Sequence, residues 1–415
     1  YMSPDRDRNK KGFNYKNYLK TIKVSGIVNV EKHSVLEKEK INKIYLFSKK
    51  IKDKLKANIN KVIDNKENQS LLIGMVLGDT DGLSAEIEKD FLDSNLYHIL
   101  SVSGGQVSNI LIGIGLLTKI GRINKKVKSN ICIIILSEFM ILTGLAPSII
   151  RACVMCIISL IAKNIIKRYD IANSFGISLL IILIDNPYAI NSLSVLLSYF
   201  GFSGIIIVGS FFIKKINKKI KNNIIRYILN IVISSISAQI FIFPIILYVF
   251  GTVSLTFIFS NLLIIPLSTI ISVLGFFLML CPIQIFSFVD ILLDISKYVV
   301  KFFADINLSK IYFITPSILE ICIYYILIIY MYYLIKREYL YKIKHFIFKY
   351  RRKLVSSIIL YLIILLIISF IPKDLKINFI DVGQGDCTLV TTKWNKHILI
   401  DGGGSEGNSD FDVGD

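Results

Sequence analysis

Arg151 lies one helical turn inside an apolar run, in Leu142-Thr-Gly-Leu-Ala-Pro-Ser-Ile-Ile-Arg-Ala-Cys-Val-Met. A guanidinium in hydrocarbon is costly, so it must face protein or water, and it is a functional candidate by default. Two roles are open to it. It can face a phosphate, or it can serve as a structural cation that is paired or snorkels to the interface. Glu138, midway along the preceding apolar run, is the expected partner. Residues 144–147 break that run, and Pro147 restarts a helix at its first turn, where a missing N–H does no harm.

A second polar group stands at the entrance to the first long apolar run. It reads His98-Ile-Leu-Ser-Val-Ser-Gly-Gly-Gln, with Ser101, Ser103, Gly104, Gly105, Gln106 and Ser108 in place of Leu and Ile. Backbone polar groups at membrane depth need internal partners. Small polar residues there serve either close helix packing or the lining of a translocation path. Gln106 would act on a ligand by neutral hydrogen bonding, since it cannot titrate.

The third group is near the C-terminus. Asp381, Gly383, Gln384, Gly385 and Asp386 make a tight corner after one strand, and Asp401 precedes three glycines after another. Aspartates at such corners cap glycine turns. The four histidines, His33, His98, His345 and His397, are not clustered, so no metal site is recognisable. Cys153-Val-Met-Cys156 lies in an apolar helix without a second pair or a nearby histidine, and reads as packing rather than a redox or metal motif.

The elements that carry these residues are mostly hydrophobic helices. The 415 residues are 53% hydrophobic with a mean hydropathy of +0.60, which excludes a soluble protein of this size. Candidate spans are 99–119, 130–145, 147–163, 171–185, 191–213, 227–250, 257–280, 285–304, 316–335 and 354–371. Several are short enough to be hairpins or re-entrant pieces. Residues 285–304 carry Asp290, Asp294, Lys297 and Lys301 at helical period, and an interfacial helix is the alternative there.

The net charge is +19, from 49 Lys and Arg against 30 Asp and Glu. Much of it sits in the loops 119–128, 163–168, 214–226 and 336–353, which the positive-inside rule makes cytoplasmic. Each successive pair is separated by an even number of expected crossings, so both soluble ends are expected on the outer face. A basic excess also suits an anionic ligand such as nucleic acid or lipid headgroups.

Before the spans, 21–30 alternates and reads as a strand. Residues 38–66 place Ile41, Ile44, Phe47, Ile51, Leu55, Ile59 and Val62 at three- to four-residue spacing between lysines, an amphipathic helix. Such a helix packs on its own protein, lies in the membrane interface, or faces phosphates. After the spans, 376–382, 387–391 and 397–400 read as three strands of a meander. Both ends read as cut, beginning at Tyr1 and stopping mid-pattern at Asp415.

Several of these stretches resemble the ComEC-type DNA-uptake proteins. Lys11-Gly-Phe-Asn-Tyr-Lys-Asn-Tyr-Leu resembles a segment of that family's external β domain. Leu77-Gly-Asp followed by His98-Ile-Leu-Ser-Val-Ser-Gly resembles the start of its competence region. That family often continues Ser-Gly-Leu-His-Val, and here Gly105 and Gln106 depart from it. Thr143-Gly-Leu-Ala-Pro-Ser-Ile-Ile-Arg-Ala is similar to its Thr-Gly-x-x-Pro-Ser-x-x-Arg-Ala signature. Asp185-Asn-Pro-Tyr matches more loosely. Gln239-Ile-Phe-Ile-Phe-Pro244 and Asn261-Leu-Leu-Ile-Ile-Pro266 match later helices. Asn378-Phe-Ile-Asp-Val-Gly-Gln-Gly-Asp-Cys with Ile398-Leu-Ile-Asp-Gly-Gly resembles the first strand edges of its metallo-β-lactamase-like domain.

The resemblance implies a polytopic α-helical membrane protein of about 8–10 spanning or re-entrant helices. It implies a partial N-terminal OB-like β domain (1–37), a basic amphipathic helix (38–70), a competence transmembrane domain (71–371) and a truncated metallo-β-lactamase-like α/β domain (373–415). Its function would be an inner-membrane channel for single-stranded DNA in natural transformation. Implied partners are single-stranded DNA, membrane lipids, an external DNA receptor and a cytoplasmic DNA-translocating ATPase, and a homo-oligomer stays open. No Walker motif is present in the chain. Candidate path residues are His98, Ser101, Ser103, Gly104, Gln106, Glu138, Pro147, Arg151, Gln239 and Asn261. Catalysis and cofactors are not expected of this chain, because Zn²⁺ or Mn²⁺ would need histidines beyond Asp415. Two other readings remain. One is a membrane-bound metal-dependent hydrolase in the full-length protein. The other is a small-molecule transporter, which predicts inverted repeats that the sequence does not clearly show.

Overall fold

The computed structural model describes residues 15–24, 43–100, 103–306, 311–313, 315–336, 375–380, 386–392 and 397–401. They fall into two compact units. One comprises Thr21–Lys23 and Val30–Leu327, and the other Tyr1–Lys20, Val24–Asn29 and Ile328–Asp415.

The chain is first described in α1 (Tyr15–Thr21), a helix where a strand was expected to begin at Thr21. Tyr15, Tyr18 and Leu19 share helical spacing, and the β-branched Thr21 only ends the run. Asn186 Nδ2 donates to the Thr21 carbonyl at 2.9 Å, satisfying a group that the helix end leaves open. Residues 25–30 of the expected strand lie outside the described residues.

The expected long basic helix is two helices, α2 (Lys43–Asn60) and α3 (Lys66–Leu77). Asn65 separates them, its side chain accepting from Glu67 N–H as an N-cap. The amphipathic pattern is used most fully at its C-terminal end. Ile59, Val62 and Ile63 are fully buried, whereas Phe47 is 61% exposed.

α3 ends at Gly78, which adopts the left-handed conformation that glycine tolerates. Asp79 follows and is gripped by two lysines one turn apart on α2, Lys52 at 2.7 Å and Lys56 at 2.6 Å. Burial pushes the Asp79 carboxyl up, but the hydrogen bonds and charges of both lysines outweigh it and hold the pKa at about 2. A depressed carboxylate pKa contributes stability above the unfolded value, near 4, and loses it as pH falls through the folded value. The clip should therefore contribute on the order of 2 kcal/mol at pH 7 and almost nothing at pH 2. Asp79→Asn is expected to lower the unfolding midpoint at pH 7 and to match the parent at pH 2. An equal deficit at both would mean the charge is irrelevant.

α4 (Ala85–Asp93), α5 (Tyr97–Leu100) and α6 (Gly104–Ile120) lead into the apolar helices. These are α7 (Lys125–Leu142), α8 (Pro147–Asn164), α9 (Ile171–Asp185), α10 (Leu193–Gly204), α11 (Ser210–Lys219), α12 (Asn223–Phe250) and α13 (Phe257–Leu280). A π-helical turn, Ile205–Gly209, joins α10 to α11. Among the described residues four stretches are long and apolar enough to cross a bilayer: Pro147–Asn164, Leu193–Lys219, Asn223–Phe250 and Phe257–Leu280. Ile171–Asp185 and Ile318–Tyr330 are shorter apolar helices. The other expected spans fall short for visible reasons. α6 has only 17 residues, and α7 opens on Lys125, Lys126 and Lys128. The span expected at 354–371 lies outside the described residues.

α13 is the central helix, touched by α2, α3, α6, α12 and α14 (Phe288–Ala304). Its core partners include Leu71, Leu72, Val76, Leu100, Leu293 and Val300. A second cluster joins α6, α7 and α8 through Val107, Ile110, Leu136, Phe139, Ile149 and Cys153. A third joins α9 to α10 through Ile182, Val195 and Tyr199.

α14 is three-sided. Val289, Leu293, Ser296, Val300 and Phe303 are buried, and Ile291, Ile295, Tyr298 and Phe302 form an exposed apolar row. Between them run Asp290, Asp294, Lys297 and Lys301. This charged row meets α3 and α4: Asn68 donates to Asp290 (2.7 Å) and Asp294 (2.9 Å), and Lys301 pairs with Glu86 at 3.0 Å. β1 (Thr252–Val253), just before α13, pairs antiparallel with β2 (Ile311–Tyr312), just after α14. α14 therefore returns the chain along α13 and packs on the bundle. α15 (Ile318–Lys336) follows.

The other unit contains an antiparallel meander, β3 (Lys376–Phe379), β4 (Thr388–Thr391) and β5 (His397–Ile400), in the expected order. Ile377 lies opposite Val390, and Leu389 opposite Leu399. Ile380 N–H donates to the Cys387 carbonyl at 2.8 Å and extends the first ladder.

Candidate functional site

Three helices meet around Arg151. α8 carries it one turn from Pro147, which occupies the first turn of that helix as expected. The side chain is only 8% exposed. Its Nε donates to Ser198 Oγ on α10 at 2.9 Å. The guanidinium carbon lies 4.5 Å from the ring centre of Phe202 and 6.0 Å from that of Tyr199. Those rings are fixed in turn, because Tyr199 OH bonds Ser178 Oγ at 2.9 Å and Phe175 packs against both. The third helix is α6. A Cβ placed on Gly104 would stand 3.5 Å from Arg151 Nη2 and 3.6 Å from Ala152 Cβ, so only a small residue admits the guanidinium here.

Glu138 is not the partner of Arg151. It accepts from Ser48 Oγ of α2 at 2.5 Å. The order of spans along the chain says nothing about their rotation, and α7 turns this carboxylate toward α2. Among the described residues no carboxylate lies within 4 Å of Arg151. Burying a cation without an anion costs several kcal/mol, which one hydroxyl and two ring faces offset only partly.

The Gly-Ser entrance is a helix start, not a continuous span. α5 stops at Leu100, and α6 begins at Gly104 with Ser103 as N-cap. Ser103 Oγ accepts from Gly105 N–H at 3.2 Å. Gln106 Oε1 accepts from Ser103 N–H at 2.8 Å and from Ser103 Oγ at 2.6 Å, and Gln106 Nε2 donates to the Ile99 carbonyl at 3.2 Å. Gln106 is buried and used as a cap, so its expected exposure to a ligand is corrected. The signal was readable, since Ser-x-x-Gln is a capping box. Ser101 lies outside the described residues. His98 is accessible to solvent, although protein atoms crowd around it. That crowding lowers its pKa from the ordinary value, against a hydrogen bond with the Asn95 backbone.

Gln239 and Asn261 are both 8% exposed, on α12 and α13. Gln239 Nε2 and Asn261 Oδ1 have no hydrogen-bond partner among the described residues. Buried polar atoms are satisfied in the great majority of cases, so two such atoms on adjacent apolar helices need an explanation.

In the smaller unit Asp386 stands two residues before β4, and Asp401 follows β5 with a left-handed φ of 57°. Asp381, Gly383, Gln384 and Gly385 lie outside the described residues. Among the described residues no three His, Cys, Asp or Glu side chains gather as metal ligands would.

A family model described as Competence protein matches residues 75–338. ComE operon protein 3 of Bacillus subtilis (strain 168) is 23% identical over 351 residues, covering 82% of this chain and 43% of that protein. The chain thus spans less than half the length of this curated relative. No solved structure matches.

Proposed function

The chain belongs to the Competence protein family, and from that membership we propose that it forms the inner-membrane channel through which single-stranded DNA enters during natural transformation. One observation carries the channel reading. Two neighbouring apolar helices, α12 and α13, each hold a buried amide with an atom that no group of the described residues satisfies. Leaving such an atom unpaired costs about 1–3 kcal/mol. A path that carries water or a polar polymer would supply the missing partners, as wet cavities do at membrane depth.

DNA would arrive from an outer-face receptor and be drawn in by a cytoplasmic ATPase. Both soluble ends would face outward, where an OB-like domain and a metallo-β-lactamase-like domain would meet the incoming strand. Membrane lipid surrounds the exposed apolar rows, and a homo-oligomer is one way to complete the path.

Asn261→Leu and Gln239→Met keep the heavy-atom outline of the side chain and remove the amide. Each is expected to raise the unfolding midpoint of the purified protein while lowering conversion of labelled DNA to a nuclease-resistant form in cells by about tenfold. The pairing of gained stability with lost activity is what a functional polar group predicts. Undiminished uptake in both variants would overturn the assignment of these amides to the path.

A further inference from the structure

We propose that Arg151 and the first residue of α6 form a station for one phosphodiester anion inside the membrane domain. The substrate named here rests on the DNA-channel reading, while the site rests on geometry.

Arg151 is more than nine-tenths buried, and only its Nε is used by protein. Neither terminal nitrogen forms a hydrogen bond with a described residue. Nη2 points to the start of α6, 3.5 Å from where a Gly104 side chain would begin. That helix start is the positive end of a 17-residue dipole. Its cap already engages Gly105 N–H through Ser103 Oγ and Gln106 N–H through the Ser103 carbonyl, and Gly104 N–H has no acceptor among the described residues. A guanidinium near a helix N-terminus is repelled by it unless an anion sits between them. No carboxylate of the described residues does so.

The donor set has the right character for a phosphodiester. Two non-bridging oxygens match the two terminal nitrogens of a fork that Ser198 and Phe202 hold in one plane. The missing side chain of Gly104 leaves room beside the backbone N–H. Gly105 and Ser108 are exposed, so the site can be reached from their side. Contacts to phosphate alone carry no sequence information, which is what a conduit for any DNA requires. An anionic lipid headgroup offers the same chemistry, and the test must separate the two.

The full-length protein in phospholipid-free detergent is titrated with fluorescent (dT)20 and with its uncharged methylphosphonate analogue. Arg151→Gln is expected to weaken (dT)20 binding about tenfold and to reduce the salt slope by about one, leaving the neutral analogue unchanged. Arg151→Lys, which keeps the charge and loses the fork, should fall between. Gly104→Leu keeps the arginine and fills the space, so it should repeat the loss even if Arg151→Gln does not fold. In a second arm, phosphatidylglycerol is added and the shift in unfolding temperature is followed. A shift lost in Arg151→Gln, with (dT)20 binding intact, supports the anion station and assigns it to lipid. Wild-type protein that binds no (dT)20 sinks the DNA reading, and the lipid arm then decides the station alone. Variants that match wild type in both arms overturn the station.

Discussion

Gly204→Val is expected to destabilise the membrane domain severely. Gly204 ends α10, and a Cβ there would stand 2.2 Å from the Ser237 carbonyl oxygen and 3.0 Å from Phe241 on α12. The first contact is backbone, so no rotamer change relieves it, and the two helices must part. Overpacking typically costs about 1–3 kcal/mol and more where the obstacle is rigid. That is a large fraction of a total stability of about 5–15 kcal/mol. Gly209 faces the same Ser237 from the next turn, so the π-helical segment would be displaced as well. Gly176→Ala supplies the contrast. Its Cβ meets nothing within 4 Å, and a helical glycine replaced by alanine should gain about 0.5–1 kcal/mol. Recovery of monodisperse protein and the unfolding midpoint should separate the two variants clearly. If Gly204→Val matches Gly176→Ala, the close crossing of α10 and α12 does not exist.

Asn68→Asp should be nearly as damaging, and its damage should depend on pH. Asn68 is fully buried and donates to both Asp290 and Asp294. Its amide is the leading reason that the Asp294 carboxyl lies below the ordinary range, with Lys297 assisting and burial opposing. An aspartate in that place sets three carboxylates together and removes the only donor that joins them. Losing a partly buried hydrogen bond to a charged group costs about 1.5–3 kcal/mol. The new carboxyl would have a raised folded pKa, so the variant is most stable below the unfolded value, near 4, and weakens as pH rises through the folded one. Unfolding midpoints from pH 4 to pH 8 test this. A deficit that does not grow with pH would mean that α3 and α14 are not joined through this amide.

The parts of this fold that were legible in sequence are those governed by local pattern. Apolar runs marked most helices, alternation marked β3–β5, and Pro147 marked the start of α8. Arg151 stood out because a lone cation in an apolar helix is conspicuous. Its surroundings did not, since Ser198, Tyr199 and Phe202 lie about 50 residues away and look like ordinary helix content. Glu138 was assigned to the wrong neighbour for the same reason: rotation of a helix about its axis is a tertiary property. The break at Asn65 and the cap at Ser103 were local and readable, but strong periodicity on either side concealed them. The charges of 290–301 suggested either a span or an interfacial helix, whereas the partners on α3 and α4 make a third arrangement workable.

That third arrangement bears on how the protein is made. The charged row of α14 makes this helix a poor candidate for entering a bilayer by itself. The groups that receive it, Glu67, Asn68 and Glu86, lie 215 to 230 residues earlier in the chain. Synthesis runs from the N-terminus, so these partners have already left the ribosome when α14 emerges. Assembly then has a required order, in which α3 and α4 wait, still polar, for a helix that completes them. A chain whose first hundred residues are supplied late should stall with α14 in water and α13 unaccompanied.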